Sequence, residues 1–372
     1  MIERAVAHID LGAIERNVAR IRGELSADTK LCAVVKGNAY GHGDTWCAKA
    51  ALAGGAEWLA VAAAGEAVDL RRHGIDAPLL VMGALTNEEA RMALEAPADL
   101  VVWEPQFAES LARVADAAGV IGRVHVKLDS GMGRLGAKDA EQALAVARIA
   151  HEAEHLQLVG LMTHFATADE PGDDYFPQQL AIFSAFAARV REQYPDVLVH
   201  AANSPATFRE PGSHFDMVRC GIAVYGLDPF QGDPARRGLE PALTLTSWVA
   251  AVRPFNAGES AGYGRAWAAS EPTCVGTVPI GYGDGWRRAL TNNADVLIGG
   301  RRYPLVGRVS MDNITVDLGP GTGVRPGARA VLIGRDGDER ITAEEIAQRL
   351  GTINYEVTCS LTPRVRRHWS AT

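Results

Sequence analysis

The stretch Leu31–Gly43, LCAVVKGNAYGHG, carries the first side chain placed to do covalent chemistry. Leu31–Val35 is a short apolar, partly β-branched run with the length of a fully buried parallel strand. It stops at Lys36, ahead of loop residues and Tyr40. The C-terminal end of such a strand is where a (β/α) barrel or an open α/β sheet keeps its active site. A lysine half withdrawn from water there has its charged form disfavoured, which makes its amine nucleophilic. The competing reading is a lysine that merely snorkels from a strand end. Gly37, Gly41 and Gly43 argue against it, since glycines so dense indicate backbone making room for something.

Placing that lysine requires a frame of strands, and the sequence supplies one with a steady beat. Strands are expected at 31–36, 57–62, 78–82, 98–102, 123–128, 156–163, 197–201 and 216–219. Ala-rich helical stretches fall between them at 44–53, 64–73, 86–95, 105–118, 138–153 and 173–194, and another helix follows Asp10 over 11–26. An open doubly wound sheet more often stops at five or six strands, so this pattern predicts a closed eight-stranded (β/α) TIM-type barrel. After Pro241 short β-like runs separated by Gly, Pro and Asn replace the helices, and only 343–350 reads as a helix, with Thr342 as its cap. The expected organisation is a barrel domain over 1–235 and a mostly-β C-terminal domain over 236–372, joined by a polar segment near 230–241.

On this frame several chemically able residues fall at C-terminal strand ends. They are Lys36, Lys127 with Asp129, His164, Asn203-Ser204, and Arg219 with Gly221-Ile222. A barrel commonly builds a phosphate site from the loops after its seventh and eighth strands. HAANSP offers Ser204 and amides at a helix start there, and RCGI offers the N–H groups of Gly221 and Ile222. A strand-end lysine facing a phosphate site suggests a phosphorylated aldehyde held as a Schiff base, the signature of pyridoxal 5′-phosphate (PLP).

The motifs AVVKGNAYGHG, KLDSGMGRLG, THFA, HAANS, VRCGIAVYG, GYGR, GYGDG, GRVSMD and TINYEV, in this order along nearly the whole chain, resemble the alanine racemase family. The resemblance implies a PLP-bearing barrel, a β domain, and a head-to-tail homodimer whose active sites are shared between subunits. It implies that Lys36 carries the cofactor and then acts as one acid/base, with Tyr263 of the other subunit as the second on the opposite face of Cα. Positioned proton transfers of this kind contribute about 10²–10⁴-fold each. A tyrosine pKa near 10 must fall by about 2–3 units for this, roughly 3–4 kcal/mol. One cation about 4 Å away supplies about 4 kcal/mol at an effective dielectric near 20. The resemblance implies a hydrogen-bonded chain from the tyrosine through His164 to Arg219, which fits that need. Arg219 matches the residue facing the pyridine nitrogen, and an arginine there leaves that nitrogen unprotonated. Tyr40, Ser204, Gly221, Ile222 and Tyr355 match the phosphate-binding set, with Asn203 beside it. Arg134, Met311 and Asp312 match substrate-binding positions, and Lys127 matches a lysine that can be carbamylated. Trp286, Gly37 and Ser130 depart from the family pattern, and Trp286 raises the question of entrance width.

The totals exclude other classes. A net charge of −8 and no long basic run leave no electrostatic footprint for nucleic acid. No apolar stretch reaches the ~18 residues of a membrane span, and MIERAVAHID has no secretory h-region. Five dispersed cysteines without CxxC spacing predict a reduced, cytoplasmic chain with no structural zinc or other metal. The resemblance to the alanine racemase family implies interconversion of L- and D-alanine. A broader, serine or lysine racemase and a non-catalytic PLP carrier remain as alternatives. A basic-amino-acid decarboxylase is disfavoured by Arg219.

Overall fold

The computed structural model describes residues 3–371. The chain forms two compact units. One comprises Ile14–Ala39 and Asp44–Val224; the other takes the residues up to Ala13, Tyr40–Gly43, and Tyr225 onward.

The chain enters through strand β1 (Val6–Asp10), which belongs to the second unit. The first unit is a closed parallel barrel of β2 (Lys30–Val34), β3 (Trp58–Val61), β4 (Leu79–Val81), β5 (Asp99–Val102), β6 (Gly122–Lys127), β7 (Leu156–Met162), β8 (Leu198–His200) and β9 (Met217–Cys220). β9 pairs with β2 to close the ring, with Cys32 opposite Arg219. All eight expected strands are present, each within a few residues of its predicted bounds. Leu31, Leu59, Leu80, Leu100, Val126, Leu161, Val199 and Val218 are completely or almost completely buried, as strands covered on both faces require.

The helices between them follow local signals. Pro105 starts the helix Pro105–Ala118 and Gly119, at φ 66°, ends it in a left-handed cap. Thr86 and Glu89 form a capping box at the start of Asn87–Glu95, and Asp139 caps Ala140–Glu152. Asp44–Ala53 and Ala140–Glu152 bury a face rich in alanine, which lets them approach the strands closely, whereas Tyr175–Arg191 packs through Phe176, Phe183 and Phe186.

The second unit is a large mixed sheet. β10 (Leu243–Trp248) pairs antiparallel with β1 and with Arg329–Asp336, while β1 also pairs in parallel with Arg366–Ser370. The sheet continues from Arg329–Asp336 through Asp295–Ile298, Arg301–Val306, Ile314–Gly319 and Thr273–Val278 to Ala251–Phe255. The helix Ala343–Leu350 forms as expected, with Thr342 Oγ1 accepting from Glu345 N at 3.1 Å. The expected division at 235/236 differs in detail from the observed units. Val6–Asp10, where the sequence pattern predicts no element, is an interior strand of the C-terminal sheet.

Candidate active site

In the barrel unit the C-terminal end of β2 leads at once into an unusual backbone. Gly37, Asn38 and Ala39 have φ/ψ of 64°/42°, 54°/49° and 53°/51°, and Tyr40 follows at φ 54°. This is a left-handed helical turn, and each non-glycine residue in it costs about 1–2 kcal/mol. Hydrogen bonds hold it: Ala39 N–H donates to Val35 O at 2.9 Å, Asp44 N–H to Asn38 Oδ1 at 3.1 Å, and Gly37 N–H to Glu66 Oε1 at 2.6 Å. Lys36, partly buried, stands at its start. The sequence pattern predicts only a loop here; the structure shows an ordered left-handed turn.

The barrel mouth gathers positive charge. Lys127 ends β6 and is 4% exposed. Burial, reinforced by Arg219, Arg134 and Lys36 and opposed by Asp129, pulls its ammonium down to about 8. The partly buried His164 is held well below the usual imidazole range, first by desolvation and then by Arg219, Lys127, Arg134 and Lys36. His164 is thus neutral near pH 7. Asp129 spends its carboxylate on the N–H groups of Gly131 and Gly133, at 2.9 Å each.

Arg219, in β9, is 3% exposed, and burial alone lowers its guanidinium to about 10, still charged at neutral pH. Its Nη1 donates to His200 Nδ1 at 2.9 Å; Nη2 donates to Thr163 O at 2.7 Å and Ala201 O at 3.1 Å and reaches His164 Nδ1 at 3.4 Å. The guanidinium plane is thereby fixed by the ends of two strands, β7 and β8. His200 and Thr163 were missed as site residues, although both lie inside quoted motifs. A strand-end histidine beside a more obvious Asn-Ser pair gives no separate signal.

The loops that follow β8 and β9 meet at Ser204. Ser204 opens the helix Ser204–Arg209, and its Oγ accepts from Gly221 N at 3.0 Å and Ala223 N at 3.5 Å. Ile222 begins the following 3-10 turn. Asn203 caps the Ser204 helix through Oδ1 to Ala206 N at 3.2 Å. Ser130, a departure from the family pattern, bonds Thr163 Oγ1 at 2.8 Å inside the barrel.

In the second unit Tyr40 packs against Tyr225 and Tyr355, with ring centroids 5.2 and 5.9 Å away. Tyr225 also stacks on His42 at 4.6 Å. Tyr263 lies in a short 3-10 turn and is 71% exposed, and Met311 is 51% exposed. Asp312 bonds Arg364 Nη2 at 2.6 Å, and Arg364 with Arg4 also holds buried Asp284. Tyr282 N–H to Ser310 O at 3.0 Å and Gly283 N–H to Met311 O at 2.9 Å tie the GYGDG loop to the SMD loop. Trp286 is a correction. It is 2% exposed, at a small cavity lined by Leu290, Ile346, Leu350, Val357 and Leu361, so it is a core residue and does not shape an entrance.

A closed eight-stranded barrel with a cationic, lysine-bearing mouth, linked in sequence to a mostly-β unit, is the layout of the barrel-type amino-acid racemases. The comparisons are specific. Models of the alanine racemase N-terminal and C-terminal domains match residues 9–229 and 242–369. The alanine racemase of Symbiobacterium thermophilum is 41% identical over 98% of this chain and 96% of its own, and alanine racemase 1 of Bacillus subtilis is 42% identical over 97% and 92%. Among solved structures, the alanine racemase of a D-cycloserine-producing Streptomyces lavendulae superposes with a TM-score of 0.95 at 36% identity, covering 100% of this chain and 98% of that one. An alanine racemase of Bacillus anthracis with bound L-Ala-P gives 0.92 at 38% identity, covering 100% and 96%. The chain belongs to the alanine racemase family.

Proposed function

We propose that this protein interconverts L- and D-alanine with PLP held through Lys36. The observation that carries the reading is Arg219, a buried guanidinium whose plane is fixed by the ends of β7 and β8, in a barrel mouth that also concentrates Lys36, Lys127 and Arg134. That mouth suits an anionic, phosphorylated group: its cations outnumber Asp129, whose oxygens are already taken. Ser204, Gly221 and Ile222, with Tyr40 and Tyr355, are the residues proposed to hold the phosphate; Asn203 supports them by capping the Ser204 helix. When bound, the cofactor's ring withdraws electrons and stabilises negative charge at the substrate Cα.

The chain's own groups do the rest. The Lys36 amine takes or returns a proton on one face of Cα. The Tyr263 phenol, supplied by a second copy of the chain, serves the other face, and its high exposure in one copy accords with that use. Two groups on opposite faces are what inversion requires. Arg219 keeps its own protons, because arginine does not give them up in proteins. His164, neutral for the reasons above, accepts beside it. Arg134, Met311 and Asp312 orient the substrate carboxylate, and carbamylation of Lys127 would turn a cation beside Arg134 into an anion. The working form is then a homodimer with shared sites. Among the described residues no helix is long and apolar enough to cross a membrane; a cytoplasmic enzyme supplying D-alanine for peptidoglycan is the proposed setting.

The test is L-alanine with protein and PLP in D2O, following optical rotation and Cα deuterium together. Rotation should decay to zero with deuterium in both enantiomers, and Lys36→Ala should abolish this. Tyr263→Phe should slow both directions alike in kcat/KM, by about 10²–10⁴-fold, because each direction needs both groups and the two enantiomers are equal in energy. Full activity in Tyr263→Phe, or in a strict monomer, overturns the two-copy assignment. Protein that binds no PLP overturns the whole reading.

A further inference from the structure

Four buried side chains form a row inside the barrel, and the function proposed above uses only the last of them. Asp99 opens β5, His125 lies in β6, His200 ends β8 and Arg219 is in β9. His125 Nε2 meets Asp99 Oδ2 at 3.1 Å, His125 Nδ1 meets His200 Nε2 at 2.8 Å, and His200 Nδ1 meets Arg219 Nη1 at 2.9 Å. The row therefore starts at the N-terminal rim of the barrel and ends among the residues of its mouth.

The strands are shaped for it. β6 and β8 are separated by β7, so the His125–His200 bond must cross in front of β7. It does so at Gly160, where a Cβ would strike the His125 ring. A register shift in β6–β7 pairing between Val124 and His125 sets Gly160 opposite His125. A glycine and a bulge at this point accommodate an aligned imidazole, which an ordinary apolar core would not need.

One order of protons satisfies every bond in the row. Arginine has donors only, so His200 Nδ1 is bare and accepts. Neutral His200 then carries its proton on Nε2 and donates to His125 Nδ1. His125 carries its proton on Nε2 and donates to Asp99, an acceptor in its ionised form. Arg123 keeps Asp99 ionised, with Nε on Oδ1 at 2.8 Å and Nη2 on Oδ2 at 3.3 Å.

We propose that Asp99 is a positioning residue: through His125 and His200 it fixes His200 Nδ1 as an acceptor and so holds the Arg219 guanidinium in its working orientation. The link to catalysis rests on the role given to Arg219 above, whereas the order of protons rests on geometry. A neutral amide at position 99 can turn its NH2 toward His125. Both rings then reverse, and a His200 N–H faces an Arg219 N–H in a buried site, which displaces the guanidinium.

The experiment is ¹⁵N NMR of the histidine-labelled full chain, with and without PLP, for the wild type and Asp99→Asn. In the wild type His125 and His200 should both be neutral, protonated at Nε2 and bare at Nδ1. In Asp99→Asn, His200 should gain its proton at Nδ1, and the absorbance of bound PLP should shift. Alanine kcat should fall about 10–100-fold, as for other losses of an orienting outer partner, with KM within about twofold. A wild-type His200 that is cationic or protonated at Nδ1 overturns the proposal without any variant. Unchanged tautomers or unchanged kcat in a folded Asp99→Asn also overturn it. If the wild type shows the expected tautomers yet neither binds PLP nor racemises alanine, the function proposed above fails and the proton order stands.

Discussion

Lys127 should destabilise the protein at neutral pH, and removing its charge should show by how much. Its ammonium is 4% exposed and is pulled from the ordinary 10.5 to about 8, chiefly by burial and then by Arg219, Arg134 and Lys36. A difference of about 2.5 units at ~1.36 kcal/mol per unit corresponds to about 3 kcal/mol. Between pH 8 and 10.5 the unfolded chain binds more protons than the folded one at this site, so stability rises with pH across that window. Below pH 8 the folded lysine is charged and the full cost is present. Lys127→Met keeps the length and removes the charge. Urea unfolding of both proteins in CO2-free buffer, from pH 7 to 10.5, should show the variant more stable by up to about 3 kcal/mol at pH 7. The gap should close as pH rises from 8 to 10.5. A gap below about 1 kcal/mol at pH 7, or one independent of pH, would refute the reasoning. Bicarbonate should stabilise the wild type alone, because a carbamate at Lys127 would meet Arg134 and Arg219 as an anion.

Two substitutions test the backbone of the site. Gly41 lies at φ 89°, and a Cβ there would come within 2.8 Å of the Thr358 carbonyl carbon, so Gly41→Ala should cost more than about 2 kcal/mol in urea unfolding. Gly37→Ala, at φ 64° with open space around it, should cost only about 1 kcal/mol; equal losses would show that the contact at Gly41 is unimportant. Asn203→Ala should lower stability by about 1 kcal/mol through loss of its cap, while Asn203→Asp should hold within a few tenths by the same measurement.

The barrel was legible because its signals are local. Each buried strand is a short apolar run, most of the helices have a cap or an alanine face, and these alternate over the first two-thirds of the chain. Val6–Asp10 was not legible, because its partners, Leu243–Trp248 and Arg366–Ser370, lie at the far end of the sequence. The left-handed turn after Lys36 was not legible either. Asn38, Ala39 and Tyr40 have no common preference for positive φ, and bonds to Val35 and Asp44 impose it. Trp286 was misread because an aromatic beside two arginines looks like a surface group, whereas the chain turns its ring into the core and leaves Arg287 to pair with Glu356.

By itself the sequence determined the strand-end lysine, the arginine of the eighth barrel strand, the Ser204 loop and the family. Those depend on residue type and order along the chain. Only the tertiary structure decided how Arg219 is held, why Lys127 is a costly cation, and that Asp99, His125 and His200 stand in line behind the arginine. These properties arise when barrel closure brings β5, β6, β8 and β9 around one interior and removes water from it. Hydrogen-bond direction and desolvation have no value until that happens.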